Sequence, residues 1–143
     1  MLFRSGALGV SENMTAVVYD GAGLFSAARV WWMLRHFGMR EVYVLDGGLP
    51  AWKAAGGKLD AGPVTRPAAT FKATHAPERV AHMADVAAAL KAGGLVLDAR
   101  AGARFRGEVP EPRPGLPSGH MPGATSLPMT DLTADGRLLA PEA

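Results

Sequence analysis

The chain has 143 residues, enough for one domain of ordinary size or for two incomplete ones, and its 48% hydrophobic and 20% charged content is that of a globular protein able to bury a core. Its net charge of +2 is scattered, with no run of Lys or Arg interleaved with aromatics, which argues against nucleic-acid binding. The absence of cysteine excludes disulfides and thiolate metal sites, and His36, His75, His82 and His120 stand at no metal-ligand spacing. No apolar run reaches the roughly 18 residues that span a bilayer. Met1 to Ser5 is too short for a signal peptide, so a cytoplasmic protein without membrane partners is expected.

In chain order, Thr15 to Tyr19 is a short apolar, β-branched run ending at Asp20-Gly21 and reads as a buried strand. Phe25 to Phe37 follows as a helix, with Ser26 placed to cap its start and Gly38 its end. That helix is apolar around most of its circumference and should be covered on more than one side, with Trp31, Trp32 and Trp52 in the core. Glu41 to Leu45 is a second buried strand, and Leu49 to Ala55 a short helix closed by Gly56-Gly57. Strand, helix, strand and helix in this order imply parallel pairing with a crossover, hence an α/β class.

Lys58 to Thr74 shows no period and reads as a linker. A helical pattern runs from Pro77 through Leu90 to Gly93-Gly94, and Leu95 to Asp98 is a third buried strand. Ala99 to Pro122 is a long loop rich in Gly, Pro and Arg, and Ala124 to Leu127 a fourth short strand.

Three stretches carry a resemblance. The first is Val17-Val18-Tyr19-Asp20-Gly21, with the helix Ala28-Arg29-Val30-Trp31-Trp32-Met33-Leu34 and then Val44-Leu45-Asp46-Gly47-Gly48-Leu49-Pro50-Ala51-Trp52. The second is Phe71-Lys72-Ala73. The third runs from Asp98-Ala99-Arg100 through Arg104-Phe105-Arg106-Gly107 and Pro110-Glu111-Pro112-Arg113 to Ser118-Gly119-His120-Met121-Pro122-Gly123-Ala124. In this succession the chain resembles the tandem-domain rhodanese family, which includes the thiosulfate and 3-mercaptopyruvate sulfurtransferases.

The resemblance implies a rhodanese-like parallel sheet flanked by helices, present as two incomplete domains. Residues 1–60 would close a non-catalytic domain, 61–77 would link, and 78–143 would open the catalytic domain, so the chain would be a middle fragment. It implies sulfur transfer from 3-mercaptopyruvate, or thiosulfate, to a thiol or cyanide through a cysteine persulfide. This chain lacks that cysteine and is expected to be inactive alone. Arg104 and Arg113 match arginines that hold the donor's carboxylate and carbonyl oxygens, and a guanidinium's planar paired donors suit that task. Arg113 favours mercaptopyruvate over thiosulfate. The resemblance implies no metal or organic cofactor and leaves oligomeric state open.

Asp98, Arg100 and His120 are supporting candidates, read in the first instance as a structural ion pair and a histidine organising its loop. Asp20 stands where the silent domain's loop would hold its counterpart of the cysteine, and reads as a strand-end Asp bonding loop N–H groups. Two rivals remain. A catalytically silent binding or regulatory module is compatible with Asp20. A dinucleotide-binding domain is suggested by Gly21-Ala22-Gly23 before a helix and by Asp46 at the end of the next strand. Ser26 at the third glycine position and the charge of Asp20 weigh against it.

Overall fold

A computed structural model describes residues 2–140. They form two units: the chain through Arg79 together with Asp135–Leu138, and Val80–Ala134 with Leu139 and Ala140.

The first unit contains helix α1 (Leu2–Ala7), strand β1 (Ala16–Val18), helix α2 (Ala27–His36), strand β2 (Val42–Val44), helix α3 (Gly48–Ala54), a 3-10 turn (Pro77–Arg79) and strand β6 (Arg137–Leu138). β1 and β2 pair in parallel, Ala16 with Val42 and Val18 with Val44, and α2 is the crossover between them. The β-branched runs AVV and VYV suit the pleat. Leu24, Ala27, Met39 and Val42 form the buried core, with His36 beside them. Residues 61–77 belong to this unit. The Ala69 amide donates to the Gly6 carbonyl at 2.8 Å, and a side chain at Gly6 would meet the Ala69 carbonyl oxygen at 2.5 Å, so glycine is what admits the segment.

The strands differ from expectation in burial. Val17, Tyr19 and Tyr43 are 57%, 59% and 53% exposed. Successive strand residues face opposite sides, and α2 packs on one of them, so burial alternates along each strand. α2 is likewise covered on one side only: Ala27 and His36 are buried while Ala28, Arg29 and Val30 are exposed. Trp31 and Trp32 are half-buried, and Trp52, expected in the core, is exposed, with its indole N–H donating to the Lys58 carbonyl at 2.9 Å.

The second unit contains α4 (Met83–Lys91), β3 (Leu97–Asp98), α5 (Gly102–Phe105), β4 (Thr125–Ser126), a 3-10 turn (Met129–Asp131) and β5 (Thr133–Ala134). β3 and β4 pair in parallel, Leu97 with Thr125 and Asp98 with Ser126. β3 is not a buried strand: Leu95 is 75% and Leu97 49% exposed. The helix expected from Pro77 to Leu90 is broken. Its first turn is 3-10, and α4 starts afresh at Met83, where the Asp85 carboxylate reaches back to accept from the His82 amide at 2.8 Å. The expected loop Ala99 to Pro122 contains α5, a single turn. Both units are α/β.

Candidate functional site

β3 ends at Asp98, and the Leu127 amide donates to the Asp98 carbonyl at 2.9 Å, which fixes the strand end beside β4. Ligand crevices of open α/β sheets lie at such ends. The Asp98 carboxylate accepts from the Arg100 amide at 3.0 Å and from the Arg100 guanidinium, the shortest contact being 2.5 Å from Nη2. Hydrogen bonding from Arg100 holds the Asp98 carboxyl down at about 2, against the opposing effect of burial. The same guanidinium donates through Nη2 to the Gly119 carbonyl at 2.7 Å and through Nη1 to Glu111 Oε1 at 2.7 Å. Arg100 is thereby bonded through Nε, Nη1 and Nη2 and ties the strand end to the 111 and 119 segments.

Glu111 joins the two arginines. Arg104, on α5, donates through Nε to Glu111 Oε1 at 3.2 Å and through Nη2 to Oε2. The Glu111 side chain is only 7% exposed, and Arg104, then Arg100, hold its carboxyl below the usual carboxylate range. Bonding to Glu111 in turn holds the proton on Arg104 more firmly. A guanidinium has two edges suited to a carboxylate, one through Nε and Nη2 and one through Nη1 and Nη2. Glu111 takes the first edge of Arg104. The Nη1 edge has no partner among the described residues, so Arg104 is an arginine held in place with one donor edge free.

Arg113 lies on the neighbouring loop, exposed, with no side-chain hydrogen bond or ion pair among the described residues. His120 stacks on Phe105 at 3.8 Å between ring centroids, and its Nδ1 lies 2.8 Å from the Phe105 carbonyl oxygen. The ring is thus fixed between α5 and the 117–122 segment. A cleft of about 580 Å³ is lined by Leu97–Arg100 and Pro117–Pro122, with Arg104 and Arg113 outside this lining. Sequence reasoning brought Asp98, Arg100, Arg104 and His120 forward but missed Glu111. A lone carboxylate between two prolines in an arginine-rich loop was the available signal, because an acid there has few partners but arginines.

In the first unit Asp20 follows β1. Its carboxylate accepts from the Ala22 amide at 2.9 Å, the Ser26 amide at 2.7 Å and the Ala27 amide at 2.9 Å. The amides of Ser26 and Ala27 are the main reason its carboxyl lies below the ordinary range. Asp20, not Ser26, caps α2: the Ser26 side chain makes no cap bond. The amides of Ser26 and Ala27, at the helix start where a pyrophosphate would bind, are therefore taken by an internal anion, which weighs against the dinucleotide reading.

Residues 4–55 match the rhodanese-like domain family. Over 132 residues the chain is 46% identical to the 3-mercaptopyruvate sulfurtransferase of Escherichia coli strain K12, an alignment that covers 92% of this chain and 47% of that protein. The chain belongs to the rhodanese family. A second rhodanese relative, the human 3-mercaptopyruvate sulfurtransferase, is 41% identical over 142 residues, covering 96% of this chain and 48% of that one. Among solved structures, SseA from Escherichia coli superposes with a TM-score of 0.86 at 39% identity, covering 97% of this chain and 52% of that one. Tum1 from Saccharomyces cerevisiae superposes with a TM-score of 0.83 at 29% identity, covering 94% and 48%. This rhodanese chain therefore spans about half the length of the curated relatives it matches. Among the described residues no helix is long and apolar enough to cross a membrane.

Proposed function

We propose that the chain is the middle part of a cytoplasmic, tandem-domain sulfurtransferase that takes sulfur from 3-mercaptopyruvate, with thiosulfate as an alternative donor. The observation that carries this reading is the alignment of nearly the whole chain with half of enzymes named for that reaction. The arginine pair adds to it. Arg104 offers its free edge to the donor's carboxylate, oriented by Glu111, and Arg113 meets the carbonyl oxygen from the neighbouring loop. Asp98 and Arg100 hold the strand end, and His120 holds α5 against the 117–122 segment.

The nucleophile lies outside these 143 residues, since none of them is cysteine. In the proposed reaction its thiolate attacks the donor sulfur, the carbon–sulfur bond breaks, and the enolate released takes a proton to become pyruvate. The outer sulfur of the persulfide then passes to a thiol or to cyanide, restoring the cysteine thiolate. The first unit is proposed as the silent partner domain, because Asp20 occupies the Ala22, Ser26 and Ala27 amides with its own carboxylate and cannot form a persulfide.

The test begins with the encoding DNA on either side of this reading frame. A longer frame containing a cysteine loop should yield a product that releases pyruvate from 3-mercaptopyruvate, while the 143-residue chain releases none. Replacing Arg104 by Ala in the longer product should raise KM roughly tenfold or more. Arg113→Gly should move preference toward thiosulfate. Absence of pyruvate release from any longer product, with folding intact, would instead favour a silent binding module.

A further inference from the structure

A second cationic site lies in the first unit, at the C-terminal end of α2, remote in sequence from the arginines assigned to the donor. Arg35, Arg40 and Arg79 line one cavity of about 230 Å³, with Gly38, Met39 and Thr74 completing its wall. The chain brings them together by a specific construction. Gly38 adopts φ 99°, a left-handed conformation that side chains disfavour, and it lets the helix close with the Met39 amide on the Leu34 carbonyl at 3.0 Å. The 74–76 segment then lies against the helix end. Its Thr74 amide donates to the Phe37 carbonyl at 3.0 Å and its Ala76 amide to the His36 carbonyl at 3.0 Å. The 3-10 turn that follows delivers Arg79 to Arg35 and Arg40.

Basic residues at a helix C-terminus ordinarily serve its unpaired carbonyls and its dipole. Here backbone amides have taken that role. The Met33, Leu34, Arg35, His36 and Phe37 carbonyls accept from the amides of Phe37, Met39, Gly38, Ala76 and Thr74. Arg35 makes one protein bond, from Nη1 to the Arg40 carbonyl at 2.7 Å. Among the described residues Arg40 and Arg79 make no side-chain hydrogen bond, and none of the three is in an ion pair. The nearby acids do not fill the cavity. Glu41 accepts from the Tyr43 hydroxyl at 2.6 Å, and Glu78, in the turn itself, does not line the site. Arg40 and Arg79 are exposed and Arg35 half-buried, so three guanidinium charges border one small space without a counter-charge and make it electropositive.

We propose that this cavity binds a small tetrahedral oxyanion, of the phosphate or sulfate class. Arg79 and Arg40 supply charge-assisted hydrogen bonds, and Arg35 supplies the donors it does not spend on the Arg40 carbonyl. The site is independent of the donor site in the second unit and of the reading given to it.

The test is calorimetry, with amide NMR, on the 143-residue chain, titrated separately with inorganic phosphate and with sulfate, ionic strength being held constant with chloride. The expected result is saturable binding, with shifts at Gly38, Met39 and Arg79. Arg79→Ala and Arg40→Ala should each weaken it roughly tenfold, and Arg29→Ala, on exposed α2 surface, should leave it unchanged. Arg40→Lys keeps the charge but loses the fork, and should fall between the wild type and Arg40→Ala. The two titrations distinguish phosphate from sulfate as the occupant. Shifts that do not saturate, or equal affinity in the Arg29, Arg40 and Arg79 variants, overturn the proposal.

Discussion

Leu24, Ala27, Met39 and Val42 are buried around His36 in the first unit, whereas Pro128 is the only buried residue of the second among those described. The second unit compensates with charge: Asp98, Arg100, Glu111 and Arg104 form one continuous chain of ion pairs across the 98–119 loop. The strand-end aspartates repeat the contrast. The Asp20 carboxylate is held by backbone amides alone, while Asp98 and Glu111 engage two guanidiniums and leave a donor edge of Arg104 free. A loop closed by amides is complete in itself. One closed by arginines can pass a charge on to a ligand.

Substitutions in the two units should separate these modes. Met39→Ala should cost the first unit about 2–5 kcal/mol in denaturant unfolding, because Met39 is 1% exposed, and Leu97→Ala should cost far less. Asp20→Ala should cost roughly 0.5–2 kcal/mol by removing the cap of α2, and should increase hydrogen exchange at Ser26 and Ala27 without affecting the second unit. Glu111→Gln keeps the shape but not the charge. It should speed exchange and proteolysis of the 99–120 loop several-fold while the first unit's protection stays constant. Equal responses of both units to Met39→Ala and Glu111→Gln would dissolve the distinction.

Acid should act on the second unit through a known sign. The Asp98 and Glu111 carboxyls are depressed by their arginines, Asp98 to about 2. The ion pairs therefore contribute fully above the ordinary carboxylate range and are lost as pH falls through the depressed values. Loop order, followed by Arg Nε–H signals, should hold at pH 5 and fade between about pH 4 and 2. Raising salt at neutral pH should loosen this loop slightly and leave the Asp20 loop, bonded to neutral amides, unaffected. A loop that loses order on mild alkalinisation instead would contradict the assignment.

Much of the fold was legible because β-branched runs bounded by Asp and Gly mark strand ends: β1, α2, β2 and β4 fall within the predicted segments, and α3 starts one residue before its own, at Gly48. Burial was less legible, since apolarity along Val17-Val18-Tyr19 does not reveal that only one face of the strand is covered. The helix break before Met83 depends on Asp85 reaching back to His82, a contact of three residues that competes with an otherwise continuous apolar period. α5, one turn long, leaves no periodic signal. Asp98, Arg100, Arg104 and His120 were visible as residues. What tied them together, Glu111, was not, because its role depends on a fold of the loop that brings positions 100, 104 and 111 to one point.

The absence of cysteine turns the chain into a useful probe, for a donor can bind it without being consumed. The decisive measurement is an NMR titration of the arginine side-chain N–H signals with 3-mercaptopyruvate. Arg104 should shift saturably, Arg100, already bonded through all three of its nitrogens, should barely move, and the shift should vanish in Arg104→Ala. No saturable change at Arg104, or an equal change at exposed Arg29, would contradict the assignment of the free Arg104 edge to the donor carboxylate.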